Sequence, residues 1–427
     1  MLVVPEKLID RVLKTVDRNE LIGLTADLVR TNSVWDPVAG TGEKSVAKMI
    51  AQWAEKKGFQ VNLDDVAPHR LNVIMQWSFG SGSRTLLFEG HTDVVTPGDV
   101  SAWKYDPFGA KIVGNRMYGR GTCDTKGNLA AMLIAMAALK RSGIVLNGTI
   151  IGGALCDEED QMLGVKDFIQ RGYADTITGA VICEPQDGFI CTSQKGAIRA
   201  RYSIIGKMAH GAMPLSGLST APAVSRVIEN LLQFELDAVK TFGKDDLLGW
   251  PSITPTVIQA PSSGIPQLNV LPGQADILVD VRTIPVQSHP EIINRLSDVA
   301  SNVQKEAKQH YRGYDQLLDI TSRRQNIRVE MEILTDRPCT QTDPEDPVVR
   351  AAHWATRFIT GKEPEYEGVP GSTDGTYLWA LKNIPIVTIG AGDRQVPHQV
   401  DEWVDLYQLY RTAQIYALTA LNYLTEA

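Results

Sequence analysis

The stretch that decides the fold begins LLFEGHTDVVTPGD (86–99) and, after an intervening segment, ends MYGRGTCDTKG (117–127). In it an apolar run finishes at the pair His91 and Asp93, and Asp124 stands at the start of a helical pattern. A buried strand of an α/β sheet reads as a continuous apolar run, and ligand-binding groups gather at the carboxyl ends of such strands. The stretch therefore supplies half of a metal site on the rim of a sheet. Its meaning depends on whether later segments supply the other half.

Two further apolar runs do finish in carboxylates: GTIIGGALCDEE (148–159) ends in Asp157, Glu158 and Glu159, and GAVICEP (179–185) ends at Glu184. Between the opening strand end and the first of these lies DTKGNLAAMLIAMAALKRSG (124–143), a long helical pattern with Gly143 after its basic end. Ahead of the opening stretch, residues 8–31 and 45–58 read as helices, and 59–66 and 72–77 as strands.

After Pro185 the texture changes. AIRARYSIIG (197–206) alternates as a half-exposed strand, followed by a helix (219–235), two strands (255–260 and 274–284), a second helix and a last strand, IRVEMEIL (327–334). In the second helix Ile292, Leu296, Val299 and Val303 repeat at three and four residues, one apolar face. The order β-α-β-β-α-β is that of a ferredoxin-like unit. From Thr335 the α/β texture returns, so residues 194–334 read as an insertion and 1–193 with 335–427 as the domain it interrupts.

The chain has 427 residues, enough for roughly two or three cores. A net charge of -8 with no basic stripe removes the electrostatic support that nucleic-acid binding requires. The longest apolar stretch, 129–139, falls short of the ~20 residues that span a bilayer, and the charged N-terminus does not read as a signal peptide. Five cysteines without tight spacing fit a reducing compartment and buried strand-end positions rather than a disulfide framework. A cytoplasmic protein that binds neither membrane nor nucleic acid is expected.

A two-metal hydrolase requires a bridging carboxylate, terminal His and carboxylate ligands, and a base. His91 can ligate through one imidazole nitrogen while Asp93 fixes its tautomer. Asp124 is placed to bridge. Alternation along an extended strand end aims Glu158 and Glu159 in different directions, so that one binds metal and the other handles protons. Glu184 and His398, the latter in GAGDRQVPHQVDEW (390–403), complete the two coordination spheres.

The ordered set EGHTD, GRGTCDTKG, DEE, CEP and PHQVDEW resembles the M20 metallopeptidase family, which includes succinyl-diaminopimelate desuccinylase, acetylornithine deacetylase, aminoacylase and glutamate carboxypeptidases. The resemblance covers nearly the whole chain. It implies a zinc-aminopeptidase-like catalytic domain, a mixed sheet flanked by helices, interrupted by a ferredoxin-like α+β dimerisation (lid) domain. It makes His91 and Glu184 ligands of one metal, Glu159 and His398 ligands of the other, and Asp124 the bridge. Glu158 becomes the general base and Asp93 the orienting partner of His91. Two divalent ions are implied; N/O ligands without thiolate suit zinc, and manganese or cobalt also fit by ligand type.

GKMAHGAMPLSG (206–217) is similar to the family segment whose His, here His210, reaches the partner subunit's active site and polarises the scissile carbonyl. LNVLPGQADILVDVRTIP (268–285) is similar to the segment whose Asn and Arg, here Asn269 and Arg282, hold the substrate. Gly371, Ser372 and Thr373 correspond to a Gly-rich loop offering backbone donors. The expected reaction is deacylation of an N-acyl amino acid or small dipeptide-like amide bearing a carboxylate, in a homodimer. The chain departs from the family at EEDQMLG, at Arg394 and Gln395 before His398, and at Gly264 to Pro266. Those departures border the pocket and keep a second reading open, a hydrolytic deaminase releasing ammonia from an aromatic amine. A third reading, a dimeric metal-binding protein without catalysis, would require a lost ligand or base.

Overall fold

A computed structural model describes residues 4–80, 82–317 and 326–425. The chain divides into two compact units, Met1–Gln194 with Thr340–Val369 and Thr373–Ala427, and Lys195–Cys339 with Pro370–Ser372.

The first unit is built on a nine-stranded mixed sheet. Its middle strands, Gly148–Leu155, Thr85–His91, Gly179–Ile182 and Ile386–Thr388, are parallel neighbours in that order. Antiparallel strands flank them, Arg70–Phe79 and Gln60–Ala67 on one side and Ile190–Gln194 on the other. Alternation along Thr85–His91 sends Leu86 and Phe88 into a core shared with the helices Lys126–Ser142 and Leu406–Thr425, and Leu87 into a second core under Leu163–Gln170. Both faces are thus covered, which is why the strand is apolar throughout rather than alternating. Phe88 is fully buried, and trimming such a side chain to Ala costs about 3–5 kcal/mol.

The segment expected as one helix over 8–31 is two, Glu6–Leu13 and Arg18–Arg30. Asp17 is the reason: its carboxylate accepts the N–H groups of Asn19 and Glu20, starting a new helix. A three-stranded sheet of Lys111–Val113, Arg116–Tyr118 and Trp403–Asp405 had no clear pattern in the sequence. It joins the segment just before GRGTCD to the one just after PHQVDE.

The second unit has four antiparallel strands ordered Ser252–Gln259, Gln274–Thr283, Gly196–Ile205, Arg328–Arg337, the strand order of a ferredoxin-like sheet. Helices Ala221–Phe242 and His289–Leu317 cover one face, and Ile292, Leu296, Val299 and Val303 are buried there. The last strand runs to Arg337, beyond the end at Leu334 read from the sequence, because it continues its pairing with Gly196–Ile205 through a register shift near Thr335. Among the described residues no helix is long and apolar enough to cross a membrane.

Candidate metal centre

Three adjacent parallel strands end at one place. His91 closes its strand opposite Leu155, and Asp157, Glu158 and Glu159 follow immediately; Glu184 lies two residues beyond the neighbouring strand Gly179–Ile182. Asp124 arrives from the loop before the helix Lys126–Ser142, and a cis peptide bond joins it to Thr125. His398 arrives from a loop near the C-terminus.

The atoms of these residues form two groups around one carboxylate. His91 Nε2 lies 3.0 Å from Asp124 Oδ1 and 3.4 Å from Glu184 Oε1. His398 Nε2 lies 3.3 Å from Asp124 Oδ2 and 3.0 Å from Glu159 Oε1. Ligand atoms of His91, Asp124 and Glu159 all fall within 4.8 Å of one another. Each oxygen of Asp124 therefore faces a different His–Glu pair.

Asp93 meets His91 through both its backbone and its side chain. The closest partner of His91 Nδ1 is the backbone carbonyl of Asp93 at 3.0 Å, with its carboxylate at 3.5 Å. That carboxylate also accepts the backbone N–H groups of Glu158 and Glu159, at 3.1 Å each. One residue thus sets the His91 ring and the turn that aims the two glutamates. The turn is left-handed at Asp157, with φ +66°, as is His398 at φ +65°. Non-glycine residues in that region are uncommon and cluster at functional sites. Asp157 is held there by the buried Arg70, which also stacks 4.1 Å from the Trp35 ring.

The electrostatics follow from burial. Burial pushes Glu158 and Glu184 well above the ordinary carboxylate range; His91 opposes this in both, and neighbouring acids add to it. Glu159 is raised by burial and by Asp124. Burial also acts on Asp124, yet hydrogen bonds with His398 and His91 hold it below the usual range. Hydrogen bonds to Asp124 and Glu159 raise His398 to about 10. The cysteines beside the acids are buried, and burial pushes Cys123, Cys156 and Cys183 upwards, away from thiolate.

Sequence reasoning missed Glu402 and Arg120. Glu402 Oε1 accepts the backbone N–H groups of Gly121, Cys123 and Asp124 at 3.0, 2.9 and 3.0 Å, and Oε2 takes Arg120 at 2.5 Å. The signal was in PHQVDEW, where an acid follows His398 by four residues in a loop.

His210, Asn269 and Arg282 lie in the second unit. His210 pairs with Val270 on a two-stranded ribbon, and Gly211 N–H donates to the Asn269 carbonyl at 2.6 Å, so both residues share that ribbon and both are exposed. His210 Nδ1 accepts the Ala212 N–H at 3.0 Å, which leaves Nε2 as the outward nitrogen. Arg282 is already engaged bidentately by Asp280, at 2.6 and 3.1 Å. Thr373 N–H is not a free donor, because it is given to Gln194 Oε1 at 3.0 Å. Arg394 is also committed: Gln186 accepts from it at 2.9 and 2.7 Å, and Glu367 pairs with it.

Fold and site together define a metal-dependent α/β hydrolase. The sequence pattern of peptidase family M20/M25/M40 matches residues 87–422, and the chain belongs to that family. As a member of that family the chain is a metal-dependent hydrolase of carbon–nitrogen bonds. A Staphylococcus aureus protein named probable succinyl-diaminopimelate desuccinylase is 26% identical over 437 residues, spanning 97% of this chain and 100% of its own. The M20 family metallo-carboxypeptidase Sso-CP2 of Sulfolobus solfataricus superposes with a TM-score of 0.76 at 18% identity, covering 95% of this chain and 99% of that one. The di-peptidase Dug1p of Saccharomyces cerevisiae gives 0.75 at 17% identity, covering 98% and 99%.

Proposed function

We propose that the chain is a binuclear metal hydrolase that removes the acyl group from a small, carboxylate-bearing N-acyl amino acid or cleaves a dipeptide-like amide. The observation that carries this reading is the Asp124 carboxylate, with one oxygen toward His91 and Glu184 and the other toward His398 and Glu159. The donor set fits two divalent cations: buried carboxylates in excess of imidazoles need positive charge, and N/O donors suit zinc, with manganese and cobalt compatible. His91, Glu184 and Asp124 would hold one ion, and Glu159, His398 and Asp124 the other. Bound there, the ions supply Lewis acidity toward the substrate carbonyl and acidify water.

Glu158 is the base in this reading. Its buried carboxyl, pushed upward by its surroundings, suits taking a proton from water and returning it to the leaving amine. Asp93 positions that base through the Glu158 and Glu159 amides. From a second copy of the chain, the outward Nε2 of His210 donates to the carbonyl oxygen as charge develops, with Asn269 beside it on the ribbon. Arg282 pairs the substrate carboxylate, exchanging Asp280 for it. On this reading the first unit is catalytic, the second is the dimerisation lid, and the enzyme works in the cytoplasm, where its five free thiols persist. The desuccinylase and di-peptidase relatives support amide cleavage. Arg394, one of the departures that kept aromatic deamination open, is engaged by Gln186 and Glu367.

The test is a panel of N-acetyl-, N-succinyl- and N-carbamoyl-amino acids, dipeptides and aromatic amines, scored separately for free acid and ammonia with zinc-loaded protein. Free acid with amine is expected. Ammonia without an acid product would overturn the reading. Glu158→Ala should lower turnover at least ~10³-fold while two zinc equivalents stay bound; wild-type-like turnover would remove Glu158 as the base.

A further inference from the structure

We propose that Arg120 and Glu402 form a positioning unit that sets the affinity of the His398 half of the centre, and so of the second cation, without touching it. The inference rests on the binuclear reading above.

Both side chains are at most 2% exposed. Glu402 collects four donors, three backbone amides of the Asp124 loop and the Arg120 guanidinium. Its own backbone carbonyl accepts the Gly119 N–H at 2.9 Å, so the loop is clamped at both levels. Arg120 then reaches outward. Its Nη2 donates to the backbone carbonyl of His398 at 3.3 Å and to that of Thr96 at 3.4 Å, while its guanidinium packs 5.2 Å from the Trp103 ring. One buried ion pair therefore fixes the loop bearing Asp124, the loop bearing His398 and the segment following His91.

The two halves of the centre depend on this pair unequally. His91 is part of a strand hydrogen-bonded on both sides, and Glu184 follows the neighbouring strand directly; the sheet holds them in place. His398 has no strand beneath it. Its side chain is 52% exposed, its backbone is left-handed, and Arg120 is the side chain that grips its carbonyl. A Gln at 402 would keep an oxygen for the amides but turn an amide N–H toward the Arg120 donors. The charge-assisted bonds would be lost and the guanidinium released from its anchor.

The experiment titrates zinc ion into metal-free full-length protein, by calorimetry, for wild type, Glu402→Gln, Arg120→Met and His398→Ala. Wild type is expected to take two equivalents. Glu402→Gln and Arg120→Met should bind the first equivalent much as wild type does and the second ~10–100-fold more weakly, as His398→Ala does. The melting temperature of each metal-free variant separates this from a folding defect. The double variant Arg120→Met/Glu402→Gln, which leaves no buried charge unpaired, gives a folded alternative if a single variant is unstable. Equal weakening of both equivalents, or a second equivalent bound as in wild type, would overturn the positioning role. A wild type that binds one equivalent would instead overturn the binuclear reading.

Discussion

Two polar clusters of this chain are composed in opposite ways. In the second unit, His289 Nδ1 pairs with Asp336 at 2.5 Å, His289 Nε2 meets Thr283 Oγ1 at 2.7 Å, and Thr283 meets Cys339 Sγ at 3.0 Å. Gly196 N–H completes the ring of contacts on the sulfur at 3.1 Å, and a side chain at Gly196 would stand 2.3 Å from Thr283 Oγ1. One imidazole answers one carboxylate, and the space is filled. At the strand ends of the first unit, Asp93, Asp124, Glu158, Glu159 and Glu184 converge on only two imidazoles, His91 and His398. A balanced cluster is complete as a structural fastening. An unbalanced one is costly to bury unless a cation joins it, and this excess of acid is what distinguishes a metal centre from a polar fastening.

The comparison is most exposed at Asp93, the one acid of the five that holds the backbone amides of two others. Replacing it with Ala frees the amides of Glu158 and Glu159 and the turn they form. Turnover should fall by ~10²–10³-fold, about 3–4 kcal/mol in the barrier, with kcat affected more than KM. Asp93→Asn, which keeps one acceptor, should fall between that variant and wild type. Steady-state kinetics on the best panel substrate decides this; an unchanged kcat in Asp93→Ala would mean that the glutamates need no such support.

A gentler probe leaves the sequence intact. If the excess acid is answered by zinc, zinc at a hundredfold excess over Kd should stabilise the native chain by about 2.7 kcal/mol for each ion held. The gain should be local. Hydrogen exchange should slow at 85–91, 148–155 and 179–182, whose carboxyl ends carry the acids, and stay unchanged at 196–205 and 274–283. Protection rising equally in both units would deny that the clusters differ in kind.

How much of this was open to sequence reading follows from the same contrast. The strand ends were legible because burial on both faces forces continuous apolar runs, and each run stops at the residues that do chemistry: His91, Glu158 with Glu159, Glu184. The ferredoxin-like order was legible for the same reason, through the periodic Ile292, Leu296, Val299 and Val303. The support structure was hidden. Glu402 acts on backbone amides 278 to 281 residues away, and nothing local marks such a pairing. Asp93 was expected beside the imidazole, and its second task, holding two amides of the next strand end, had no local mark. Arg282 and Arg394 looked free in sequence because their partners, Asp280 and Gln186, are ordinary residues in ordinary settings. Tertiary hydrogen bonding decides where a long polar side chain points, and spacing alone does not encode it.

The smallest expected effect belongs to the balanced cluster. Burial pulls His289 down, yet its hydrogen bonds to Asp336 and Cys339 carry it from the usual 6.5 up to about 9. A group whose pKa is higher in the folded than in the unfolded chain stabilises fully below the unfolded value, and that stability drains away as pH rises through the folded one. The contribution of His289 should therefore be complete below about pH 6.5 and lost across the interval up to about 9. Asp336 is 41% exposed, so solvent screening reduces the gain to about 1–2 kcal/mol. His289→Gln should accordingly destabilise the protein more at pH 6 than at pH 9.5, read as the change in unfolding midpoint against wild type at each pH. Zinc should not alter that difference, because the cluster has no unanswered charge for a cation to meet. A penalty that is flat with pH would show that the His289 proton is not what holds the cluster together.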